Sequence, residues 1–168
     1  MSEINYIPLI DLLNKYPQHI ELIKDKYLLL LSQLTTVSYM DDSLFKTNVE
    51  RINEIGQIIV GIIGELKNST NTNTNNDFKI VASGTIIFEP KIIRGGKYVG
   101  HIEDIVVLKE MRGNNISKTI LDLLKVHAMY NNCYKVILDC KEELKNFYIK
   151  NGFEVKGIQM SEYFINNV

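Results

Sequence analysis

The sequence predicts one α/β domain, a mixed sheet with helices on both faces, and three observations predict it. The chain has 168 residues, 45% of them apolar, enough for one domain with a sizeable core. Apolar residues recur at helical spacing until about residue 55, where β-branched runs take over. From residue 101 onward, strand-like and helix-like segments alternate. The expected order is β-α-α-β-β-β-α-β-α-β, a single domain over residues 1–168.

Residues 4–10, INYIPLI, read as a short edge strand, because Pro8 cannot donate to a ladder and is confined to edges or bulges. After Pro17, Ile20, Ile23, Tyr27, Leu30, Leu31 and Leu34 form the apolar stripe of a helix. Asp41, Asp42 and Ser43 make a cap cluster for a second helix whose inner face is Leu44, Phe45, Val49 and Ile52. GQIIVGIIGEL and FKIVASGTIIFE then read as an antiparallel hairpin. The tract between them, NSTNTNTNND at 68–77, holds five Asn and three Thr. It cannot bury enough apolar area to offset its ordering entropy, so a mobile loop is expected. HIEDIVVL, residues 101–108, is a third central strand. A helix over about 115–131 would bury Ile116, Ile120, Leu121, Leu124 and Met129. YKVILDC is another strand, EELKNFYIKN a helix closed by Gly152, and FEVKGIQMSEYF a last strand.

Composition excludes several function classes. With 19 Lys+Arg against 20 Asp+Glu, the formal charge of −1 offers no bulk attraction to nucleic acid or to a membrane surface. No apolar run approaches a membrane span, and MSEINYIPLID lacks the basic and apolar regions of a signal peptide, so a cytoplasmic location is expected. Two cysteines make neither a disulfide scaffold nor a zinc site, so no metal is expected. Cys133 and Cys140 are both read as core. With 24 Ile and 17 Asn in the chain, an isolated Asn carries little weight.

The informative segment is HIEDIVVLKEMRGNNISKTILDLL. A buried strand runs into a turn carrying Arg112, Gly113, Asn114 and Asn115, and a helix opens at Ile116. Free amides and the helix dipole at such a start suit a phosphate, and Arg112 and Lys118 would add charge. An ordinary strand–turn–helix connection would carry the same residues. Acids at Glu103, Asp104 and Asp139 lie within apolar strands, where burial is costly without a task. Tyr148 could pack against Phe147 and Phe153, and Lys91 and Arg94 could be a solvated turn. His101 reads as a hydrogen-bonded structural residue at a strand start rather than as a base.

The arginine–glycine turn after EDIVV resembles motif A of the GNAT acetyltransferase superfamily, and FYIKNGF at 147–153 resembles the end of its motif B. Five blocks in order narrow the match: LTTV, KIIR, GHIEDIVV, CYKVILDC and FYIKNGF. Together they resemble the eukaryotic-type glucosamine-6-phosphate N-acetyltransferase family. The resemblance implies acetyl-CoA as co-substrate and an amino-sugar phosphate as acceptor, acetylated on its 2-amino group on the way to UDP-N-acetylglucosamine. It implies Glu103, Asp139 and Tyr148 as catalytic residues, the acids acting at the amine and the tyrosine at the sulfur. It places the cofactor on Ile105, Val106 and Val107, on the turn Arg112, Gly113, Asn114, Asn115, Ile116, Ser117 and Lys118, and beside Asn146 and Tyr148. It places the sugar phosphate by Thr35, Lys91, Arg94 and Lys135, with Glu103, Asp104 and Asp139 toward the sugar. It further implies a homodimer whose last strand helps build the partner's site.

The sequence departs from the family's pattern at three places. Asn115 and Ser117 stand where the turn has glycines, Leu144 stands where the second motif has an asparagine, and Tyr163 stands where an arginine is expected. An acetyltransferase for another amine or amino sugar, or a non-catalytic acetyl-CoA-binding domain, therefore remains open from the residues alone.

Overall fold

A computed structural model describes residues 3–67 and 77–164. The Asn/Thr loop expected at 68–77 therefore lies, apart from Asp77, outside the described residues. Among those described, the elements in chain order are β1 (Asn5–Pro8), α1 (Leu9–Lys15), α2 (Ile20–Leu31), α3 (Asp42–Ile55), β2 (Gly56–Ile63), β3 (Lys79–Lys91), β4 (Lys97–Val107), α4 (Ile116–Tyr130), β5 (Cys133–Ile137) and α5 (Lys145–Lys150). The five strands form one sheet in the order β1-β2-β3-β4-β5, antiparallel except for the parallel pair β4–β5. This is the mixed sheet that the sequence predicts.

β1 is an edge strand, as Pro8 requires, but it is shorter than the expected 4–10. Its last residues enter α1, a helix the sequence pattern did not reveal. The continuous run Ile7-Pro8-Leu9-Ile10 carries no helical period, and seven residues are too few to establish one. α3 starts as expected: Asp41 accepts a hydrogen bond from the Leu44 amide at 2.8 Å. Leu44, in the first turn, is itself 48% exposed; Phe45 and Val49 do the burying.

Two apolar clusters flank the sheet. One joins α1, α2 and α3 to Ile58, Val60, Ile62, Ile80 and Val106; the other joins α4 to Ile59, Ala82, Ile86, Ile102 and Val107. The alternation of Ile58/Val60/Ile62 with Ile59 between the two is the period-2 signature of a strand covered on both faces. In α4 the residues Ile116, Ile120, Leu121 and Leu124 are buried, each contributing about 1.5–3 kcal/mol. Met129 is not part of that stripe. It is 76% exposed, and Ala128 takes the buried position.

The last strand expected from FEVKGIQMSEYF does not form. Residues 153–164 have no ladder partner among the described residues, and Val155, Ile158, Met160, Tyr163 and Phe164 are largely exposed. A β-branched and aromatic pattern becomes a strand only beside another strand.

Candidate active site

β4 and β5 pair from Tyr98–Cys133 to His101–Ile137, and there the pairing stops. Beyond it the two strand ends diverge, with residues 102–107 on one side and 138–141 on the other. A cleft of about 610 Å³ opens between them, closed by the turn at Met111–Gly113, by the first turn of α4, and by Tyr148. Leu108 donates its amide to Val81 O at 2.9 Å, toward β3. By the alternation of a strand, the amides of Val107 and Ile105 face the other way, toward the cleft. Val106 lies between them with its side chain buried.

A bulge sits in the same half of β4. Ser83 pairs with Val106 but Thr85 pairs with Glu103, so Asp104 and Ile105 both oppose Gly84. Asp104 absorbs the extra residue at φ 51°, in the left-handed region that Asp tolerates better than most. The bulge turns Glu103, Asp104 and Ile105 toward the cleft, all three being in its lining. Neither acid is buried as the sequence suggested; the bend brings them to the surface of the cleft instead. Their carboxyls are still partly desolvated, which raises both above their ordinary values. Glu103 is raised first by that burial, then by the charges of Asp104 and Asp139, against a smaller lowering from His101.

Asp139 is also exposed rather than buried, because β5 ends at Ile137 and the chain has left the sheet by Asp139. It lines the cleft beside Leu138 and Cys140. Cys140 is exposed too, so only Cys133 keeps part of the expected core position; both thiols are free. Tyr148 reaches the cleft from α5, its ring edge-on to Phe147 and Phe153 with centroids 5.1 and 5.8 Å away. Burial raises its hydroxyl pKa, so it is a phenol, a proton donor, at neutral pH.

The turn after β4 is built for close approach. Arg112 Nε donates to Val107 O at 3.1 Å, Gly113 takes φ 84°, and Asn115 takes φ 59° at the start of α4. No side chain caps that helix, which leaves its first amides open. Arg112, Gly113, Ile116 and Ser117 line the cleft. Asn114 does not; its amide donates to Met111 O at 3.0 Å and braces the turn. Asn115 shapes the backbone without lining the cleft, and Lys118 is held by Asp122 one helical turn on.

Other expected positions lie elsewhere. Asn146 is exposed on α5 outside the cleft lining. Lys91 pairs with Glu89, and Arg94 stands 5.6 Å over the Tyr134 ring, which Lys135 also approaches at 5.7 Å. These three cations belong to the opposite end of β4, because the chain turns there between β3 and β4 and β5 begins there. Thr35 is one residue beyond Gln33 and Leu34, which do line the cleft. His101 behaves as expected of a structural residue, with Nε2 2.7 Å from Glu89 Oε2. Gln33, Met111, Cys140, Glu143 and Phe147 line the cleft without having been singled out. Gln33 adjoins the LTTV block and Phe147 opens FYIKNGF, so the blocks pointed at them. Cys140 closes the CYKVILDC block but reads as core in the sequence, and Met111 and Glu143 gave no signal beyond being near a motif.

Among the described residues, no group of His, Cys, Asp or Glu could hold a metal ion, and no helix is long and apolar enough to cross a membrane. The family model of the acetyltransferase (GNAT) domain matches residues 74–155. The chain is 39% identical over 145 residues to a glucosamine 6-phosphate N-acetyltransferase of Arabidopsis thaliana, covering 84% of this chain and 92% of that one. It is 37% identical over 139 residues to glucosamine 6-phosphate N-acetyltransferase 1 of Dictyostelium discoideum, covering 79% of each. The crystal structure of the Arabidopsis thaliana glucosamine-6-phosphate N-acetyltransferase superimposes with a TM-score of 0.77 at 33% identity, over 98% of this chain and all of that one.

Proposed function

We propose a mechanism from the premise that this chain belongs to the glucosamine 6-phosphate N-acetyltransferase family, within the GNAT acetyltransferases. The enzyme transfers the acetyl group of acetyl-CoA to the 2-amino group of glucosamine 6-phosphate. The products are N-acetylglucosamine 6-phosphate, a precursor of UDP-N-acetylglucosamine, and CoA. The observation that carries the mechanism is the end of β4–β5 pairing at His101–Ile137, because it opens main-chain donors beside Glu103, Asp139 and Tyr148.

The amine nitrogen attacks the thioester carbonyl carbon, forming the C–N bond. Negative charge then builds on the acetyl oxygen, where the Ile105 and Val107 amides stand as preorganised donors. Glu103 or Asp139 takes the proton that the amine sheds, directly or through one water. A raised carboxyl is the stronger base, and Glu103 is raised by burial and by its acidic neighbours. The C–S bond breaks, and the Tyr148 hydroxyl gives its proton to the departing thiolate. Arg112, Gly113 and the first amides of α4 hold the pyrophosphate, with Asn114 and Asn115 supporting the turn and Lys118 adding positive charge beside it.

We read residues 1–168 as one domain, since both apolar clusters share one sheet. Lys91, Arg94 and Lys135 suit a sugar phosphate only if they reach a cleft other than their own, and a homodimer supplies one. The outer edge of β5 and residues 153–159 support that assembly: they border a second cleft of about 690 Å³ that a partner strand would fill. A cytoplasmic location goes with the two free thiols.

The test is thiol release from acetyl-CoA with glucosamine 6-phosphate, with glucosamine, and with no acceptor. Release with the phosphorylated sugar alone is expected. Release with glucosamine alone would assign a different acceptor, and none with either would leave a binding domain. Sedimentation at the mass of two chains is expected; a monomer that turns over would remove the shared site.

A further inference from the structure

Gln33 makes a contact that the mechanism above does not use. Its Oε1 accepts a hydrogen bond from the Lys109 amide at 2.8 Å, joining residues 76 apart in the chain. The segment it belongs to has just left α2, and its other bonds run back to that helix. Ser32 donates to Leu28 O, Gln33 to Leu30 O, and Leu34 and Thr35 both to Leu31 O. Those bonds finish the helix but do not fix the direction in which the chain leaves it. The bond to Lys109 does.

Both ends of this link matter. Gln33 and Leu34 line the cleft, and Leu34, although apolar, is 46% exposed there. Lys109 opens the short 3₁₀ turn Lys109–Met111, whose far end leads into Met111, Arg112 and Gly113 of the same lining. One side-chain carbonyl therefore ties the wall formed by Gln33 and Leu34 to the turn that would seat the pyrophosphate. We infer that Gln33 is a positioning residue, a clasp that holds the segment leaving α2 against the cofactor turn and so shapes the acceptor's side of the cleft.

The chemistry explains why an amide side chain serves here. A backbone N–H takes a neutral carbonyl acceptor, and because the link is exposed its charge is not decisive: what it needs is an acceptor at that position. A leucine has nearly the same shape and no acceptor. A glutamate keeps the acceptor. With the clasp broken, the wall carrying Leu34 and Thr35 is free to swing from the cleft, so acceptor binding weakens while Glu103, Asp139 and Tyr148 stay in place. KM for the acceptor should rise more than kcat falls.

The kinetic arm of the test rests on the acetyltransferase reading; an amide-exchange arm does not. In Gln33→Leu, KM for glucosamine 6-phosphate is expected to rise about threefold to tenfold, the worth of one hydrogen bond, with kcat within about twofold. Hydrogen exchange at the Lys109 amide, followed by NMR, should speed up in the same variant. Gln33→Glu should recover both. Equal KM values in the leucine and glutamate variants, or unchanged Lys109 exchange in Gln33→Leu, would overturn the clasp. If the unsubstituted enzyme acetylates no amine at all, the functional reading fails, and Lys109 exchange alone still decides the clasp.

Discussion

Gly84 of β3 and Ile120 of α4 are so close that a Cβ on the glycine would stand 2.6 Å from the isoleucine Cγ2, with Leu124 Cδ1 at 2.9 Å. The missing side chain lets α4 settle on the sheet opposite the bulge at Asp104. The start of α4 is therefore held at a fixed height above the cleft.

Gly84→Ala should thus act by overpacking. Ile120 and Leu124 are fully buried and have little room to yield. A loss of about 1–3 kcal/mol is expected in denaturant unfolding. Acetyl-CoA affinity should fall with it, since the helix start moves. A neutral substitution would mean that α4 sits less tightly than described.

Tyr148→Phe keeps the ring packed on Phe147 and Phe153 and removes only the proton donor. kcat should fall by about 100-fold while acetyl-CoA affinity, measured by calorimetry, stays within about twofold. Loss of affinity with an unchanged rate would reassign the tyrosine to binding.

The acid limb of the kcat/KM profile reports a group that must be ionised to take the amine proton. For Glu103 that limb lies above the ordinary glutamate value, because burial and then the charges of Asp104 and Asp139 raise it. Asp104→Asn removes one like charge and should move the limb to lower pH. Glu103→Gln should lower kcat by about 10-fold to 100-fold and erase the limb. A limb that survives in Glu103→Gln would assign the base to Asp139.

Asp104 also bears on stability. Burial raises its folded-state pKa above the unfolded value, so the ionised form costs stability. Stability associated with its proton is fully present below the unfolded pKa and is lost as pH rises through the folded one. Asn accepts the same left-handed backbone without that charge. Asp104→Asn should therefore raise Tm at pH 7, and the gain should vanish in the acid range. A gain that does not change with pH would point to packing instead.

Asn115→Val places a β-branched residue at φ 59°. The strain costs about 1–2 kcal/mol and distorts the first turn of α4. KM for acetyl-CoA should rise severalfold and KM for the sugar should hold; Asn115→Gly should match the unsubstituted enzyme.

Much of this arrangement is legible in the sequence, for identifiable reasons. The cap at Asp41, the stripe Ile116–Ile120–Leu124 and the antiparallel hairpin are local, set by spacing and side-chain chemistry within a few residues. Glu103, Asp139 and Tyr148 sit in short motif blocks, and the fold brings them to one cleft. What was not legible depends on partners distant in sequence. Asp139 looks buried beside Leu138 until β5 is seen to stop at Ile137. Residues 153–164 have a strand's pattern but no partner strand among the described residues. Lys91, Arg94 and Lys135 share a charge with the expected phosphate clamp, yet strand direction carries them to the other end of β4. The link between Gln33 and Lys109 spans 76 positions and has no sequence signature.

The unpaired end of β4 has an evolutionary consequence. The donors it offers at Ile105 and Val107 are peptide groups, identical whichever side chain hangs beside them. Exchanges among Ile, Val and Leu at those two positions should therefore be nearly silent in a mutational scan of turnover. Proline, which has no N–H to offer, should be lethal at either. Chemistry written in the main chain asks of the side chains on this edge only that they keep the core packed, and divergence in acceptor preference would have to be sought on the other walls of the cleft.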